Sequence, residues 1–83
     1  MKITYDPDAD ALYIALREAR PADSVDVEGG VTADLDDEGH IIGLEVLDAG
    51  KRLTPEELNT FTYENPLLAS TPRRRARVTQ RSK

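Results

Sequence analysis

The sequence predicts an α+β domain: a small antiparallel meander of four strands with a candidate fifth, one short C-terminal helix and a basic tail. Apolar and polar residues alternate with period two along several segments. Turn-forming clusters separate those segments, and one compact helix-start signal follows the last of them. The 83 residues hold a single domain, placed at 1–70, with the tail at 71–83.

The elements follow in order. In "MKITYD", Ile3 and Tyr5 alternate with Lys2 and Thr4. In "ALYIALRE", Leu12, Ile14 and Leu16 share one face, with Tyr13 and Ala15 on the other. "PDAD" joins the two as a hairpin, because Pro7 fixes φ and the aspartates can accept backbone N–H groups. Pro21 and "EGG" mark loops on either side of "SVDV", the candidate edge strand. "GVTADLD" sets Val31, Ala33 and Leu35 against Thr32, Asp34 and Asp36. Gly39 in "DEGH" supplies the positive φ of a tight turn. "IIGLEVLD" then returns with Ile42, Leu44 and Val46 on one face and Ile41, Gly43, Glu45 and Leu47 on the other.

Segments 11–17 and 41–48 are partly apolar on both faces. A sheet with one wet face alternates more cleanly, so a helix, a partner subunit or both are expected to cover the second face. The helix starts at "LTPEEL". Thr54 is the N-cap, Pro55 stands at N1, Glu57 at N3 completes a capping box, and Leu53 and Leu58 form a staple. Asn59, Thr60 and Thr62 favour a short helix, and "NP" at 65–66 stops it. Leu58 and Phe61 are expected on the sheet, and Leu67 and Leu68 are further docking candidates.

Composition narrows the class. A chain this short buries only about 60% of its unfolded surface and is marginal alone. It has no cysteine, so disulfides and thiolate metal sites are excluded. Self-association as a homodimer is the remaining expected stabiliser. The absence of cysteine, of an apolar leader and of a membrane-length apolar run predicts a soluble cytoplasmic protein without membrane contact. The net charge of −5 conceals two halves. Residues 1–70 carry all 16 acids against five bases, whereas residues 71–83 carry six bases and no acid. The body should repel nucleic acid and the tail attract it.

Four groups of residues are candidate sites. Asp6, Asp8 and Asp10 match the first three ligand positions of a calcium loop. The match ends there, because Ala11 replaces the required glycine and Arg17 the closing glutamate. A turn capped by its own carboxylates is the preferred reading. Asp34, Asp36, Asp37 and Glu38, with His40, offer a hard divalent-ion site for hydrolysis, Asp34 and Asp36 sharing a strand face. There is no second histidine, and acids flanking a turn are ordinary solvated surface. A serine triad would need Ser24 to meet His40, which no pattern supports. Finally, Arg73, Arg74, Arg75, Arg77 and Arg81 could contact phosphates, but the tail has no aromatic residue for base stacking and reads as disordered in isolation.

Two blocks together are more specific than any of these. Tyr5, Asp6, Ala9, Asp10, Ala11, Leu12, Tyr13 and Ile14 form a YDxxADALYI start. Asp34, Asp36, Gly39, Ile41, Gly43, Glu45, Leu47, Asp48 and Ala49 follow a DxDxxGxIxGIEIL middle ending in an Asp-Ala pair. Over about residues 2–53 the chain resembles the small bacterial and archaeal family filed as domain of unknown function 2283. The resemblance implies an antiparallel sheet with a helix and no established activity. Members are sometimes encoded beside small ribonuclease-like toxins, which implies an antitoxin-like role by analogy.

The expected function is therefore that of a non-catalytic interaction module binding a basic, toxin-like protein partner. No catalytic residue, metal ligand or cofactor is assigned. The alternatives are a divalent-metal hydrolase using Asp34, Asp36 and His40, and nucleic-acid contact through the arginine tail.

Overall fold

A computed structural model describes residues 1–69. Five strands follow one another: β1 (Lys2–Asp6), β2 (Ala11–Ala15), β3 (Asp23–Glu28), β4 (Val31–Leu35) and β5 (Ile41–Leu47). Three single-turn helices come after them: α1 (Ala49–Arg52), α2 (Pro55–Leu58) and α3 (Pro66–Ala69). The strands form one antiparallel sheet in the order β1-β2-β5-β4-β3. β3, β4 and β5 are a meander, and the β1–β2 hairpin docks on its free side through β2–β5 pairing.

The fold class and the α+β character agree with the sequence reading, and "SVDV" is indeed an edge strand. Thr54 caps α2 as expected, with a reciprocal bond between Thr54 and Glu57 that completes the capping box. The helical turns at α1 and α3 were not anticipated. α1 begins after Asp48, whose left-handed φ of 56° turns the chain out of β5.

Register assigns the faces, because directly opposed residues of antiparallel strands project to the same side. One row crosses all five strands as Ile3, Ile14, Leu44, Ala33 and Val25. A second runs Tyr5, Leu12, Val46 and Val31. These rows make one apolar face. On the opposite side, Thr4, Tyr13, Glu45, Thr32 and Asp26 form a polar row, flanked by Asp34 and Ser24.

The core is slight. Among the described residues only Ala33, Ile42 and Ala49 are buried apolar residues, and no large side chain is fully buried. α1 and α2 pack chiefly on each other. Phe61, expected on the sheet, lies beyond the end of α2 and is 63% exposed; Leu67 is exposed as well. One turn of helix presents too few apolar side chains to cover a five-stranded sheet. Among the described residues no helix is long and apolar enough to cross a membrane.

Candidate functional site

The aspartates of the first hairpin are engaged within the chain. Asp6 Oδ1 accepts the backbone N–H groups of Asp8 at 3.0 Å and Ala9 at 3.4 Å, which closes the turn after β1. Asp10 has a left-handed backbone with φ 52°. Its Oδ1 accepts the Tyr5 hydroxyl at 2.7 Å and the Gly50 N–H at 2.8 Å, and its carbonyl accepts the Ala49 N–H at 3.0 Å. Asp10 thus fastens the hairpin to the start of α1, a tie between distant segments that local patterning does not announce. The hydrogen bond to Asp10 raises the Tyr5 pKa, with desolvation and the carboxylate charges adding to it.

The second acidic cluster divides in two. β4 ends at Leu35, and the ladder shifts register between Asp34 and Leu35. Asp36 lies just past the end of the strand, and its side chain is only 10% exposed. Its Oδ1 accepts the N–H groups of Glu38 and His40, both at 2.9 Å. Its Oδ2 accepts the Arg17 guanidinium. The His40 N–H bond, then the Glu38 bond and the charges of His40 and Arg17, hold this carboxyl below its ordinary pKa against the opposing effect of burial. Arg17, which stands where a calcium loop needs glutamate, is the partner of this carboxylate.

Asp34 stays on the polar face. Its Oδ2 accepts the Tyr13 hydroxyl at 2.7 Å and its Oδ1 accepts Ser24 Oγ at 3.0 Å. It closes no turn. The bond to Asp34 raises the Tyr13 pKa, helped by desolvation and by the negative charges of Asp34 and Glu45. Gly43, opposite Asp34, makes the contact possible: a Cβ there would run into the Tyr13 ring and hydroxyl. A glycine inside a strand signals such a close approach, and this was the available sequence clue.

Of the proposed hydrolytic set, the fold brings Asp36 and His40 together, Nδ1 to Oδ2 at 3.9 Å, and holds Asp34 elsewhere. His40 is a largely exposed turn residue. Ser24 bonds Asp34, whereas His40 faces Asp36 and Glu38. Among the described residues no three His, Cys, Asp or Glu side chains converge as ligands for an ion. An open cleft of about 540 Å³ runs between the β2–β3 connection and the β4–β5 turn. Arg17 and Arg20 there oppose Asp36, Asp37 and Glu38, so its charges compensate each other to within one. The tail arginines Arg73, Arg74, Arg75, Arg77 and Arg81 lie outside the described residues, as does the proposed boundary at residue 70.

The sheet and its polar surface define a small two-faced β protein, apolar on one side and acidic on the other. The chain matches the family model "Protein of unknown function (DUF2283)" over residues 2–49 and belongs to that family. The matched segment is the entire sheet with its first connection into α1. No curated protein and no solved structure matches the chain.

Proposed function

We propose that this protein is a non-catalytic interaction module whose acidic sheet face receives a basic protein partner, in the manner of an antitoxin. The observation that carries this reading is the polar row. Glu45 and Asp26 stand on it with Thr4, Tyr13 and Thr32, Asp34 lies beside it, and Lys2 at the β1 edge is the only base at a strand position of this face among the described residues. Charge of one sign on a flat surface steers an oppositely charged partner and raises its association rate more than its final affinity. Tyr13, held by Asp34, adds a rigid aromatic contact of the kind enriched in interfaces.

The test is affinity capture from the native host with the wild type and with the double variant Asp26→Lys, Glu45→Lys. A basic protein retained by the wild type in a salt-sensitive manner, and lost by the charge-reversed variant at unchanged thermal stability, supports the reading. Equal recovery of the same proteins by both contradicts it.

A further inference from the structure

We infer that a second copy of this chain covers the apolar sheet face, giving a face-to-face homodimer with both acidic faces outward. A domain stabilises itself by burying the apolar side of one layer against a second layer. Here the described chain supplies one layer. Ile14, Leu44 and Val46 stand at the centre of the face, and Ile3 and Val25 at the two ends of the row remain 37% and 44% exposed.

Size admits a second copy. Five strands at about 4.8 Å spacing and five to seven residues at about 3.3 Å give the face a plan area of roughly 400–550 Å². The relief of its side chains brings this toward the about 800 Å² per partner of a standard interface. Two such faces pack as a sandwich about 10 Å apart, and a two-fold axis sets the same rows of both copies against each other.

Chemistry selects this occupant and this side. The chain beyond the described residues has six bases in 71–83, with Ala76 and Val78 as its only apolar side chains, which suits an acidic surface rather than this one. Apposing the polar faces would bring Glu45, Asp34 and Asp26 of both copies together, a repulsive arrangement that the apolar contact avoids. Edge-to-edge pairing through β3 is also disfavoured. β3 carries a bulge between Asp26 and Glu28 and is lined with acids, features that blunt an open edge. The inference does not depend on the basic-partner reading, since that reading concerns the opposite face.

Sedimentation equilibrium on the full chain tests it, with a double variant Ile3→Lys, Val25→Lys alongside. Both side chains are exposed in the monomer, so the strands persist and far-UV circular dichroism checks that they do. The expected result is a dimer mass for the wild type at micromolar concentration, a Tm that rises with protein concentration, and a folded monomer for the variant. If the variant loses its strand signal, Ile3→Ser, Val25→Ser is read instead, with a weakened dimer as the expected result. A wild type that is a cooperatively folded monomer overturns the inference, as does a folded lysine or serine variant that dimerises as tightly as the wild type. A monomeric wild type with Ile14 and Leu44 protected from solvent also overturns it and assigns the face to the chain's own C-terminal segment.

Discussion

Tyr13 reaches Asp34 across β5 because Gly43 carries no Cβ. Gly43→Ala should therefore push the ring aside, lower Tm, and return one tyrosine toward the ordinary value of 10.0 in a spectrophotometric titration. Tyr13→Phe should remove one of the two high-titrating tyrosines, leaving that of Tyr5. An unchanged titration in both variants contradicts the contact. Asp36 makes a prediction about acid. Its carboxyl sits below the ordinary 3.8, so the folded state favours the charged form. That stabilisation is complete above the unfolded value and is lost as pH falls through the depressed folded one. The Tm gap between wild type and Asp36→Asn should be wide at neutral pH and close below about pH 4; a gap that persists into strong acid would refute the assignment. The sequence marked these acids but not their partners. Asp6 bonds within its own turn and was legible for that reason. Asp10, Asp34 and Asp36 reach Gly50, Tyr13 and Arg17, and such separations follow from sheet topology, not from neighbouring residues.

The elements divide in the same way. Alternation placed the strands within one or two residues because side chains must choose a face. The capping box placed α2 because Thr54 and Glu57 satisfy each other's backbone donors locally. α1 carries no comparable signal: no side chain caps its start, and it is held by Asp10 from the first hairpin. Thr54→Ala should cost α2 about 1 kcal/mol, seen as roughly fivefold faster exchange of its amides. Unaltered exchange would mean that the box contributes nothing. In the β3–β4 hairpin, Gly30 has φ 83° and its missing Cβ leaves room for the Arg52 guanidinium, which also bonds Glu28 and the Gly29 carbonyl. Gly30→Ala should cost about 1–2 kcal/mol, and a domain of this size loses roughly 4–8 °C of Tm per kcal/mol. Gly29→Ala, with open space at its Cβ, should be nearly neutral. Equal losses for the two would contradict the assigned turn.

Among the described residues the strands form one sheet with two unlike faces, and a separate task is proposed for each. Apolar patterning on segments 11–17 and 41–48 raises the expectation of a cover on the sheet. It could not say that the helices would be single turns and leave the apolar rows open, because the length of α2 is limited by Asn59 and Thr60 while the position of α1 is set by the long-range tie to Asp10. Methyl relaxation by a soluble paramagnetic agent reads both faces of the wild type at once. Thr4 and Thr32 carry methyl groups on the acidic side, and Ile14, Leu44 and Val46 carry them on the other. The account requires strong relaxation of the two threonines and weak relaxation of the three aliphatic residues at concentrations where the protein is a dimer. Strong relaxation on both sides would show a sheet with nothing resting on it, and the account would then be wrong.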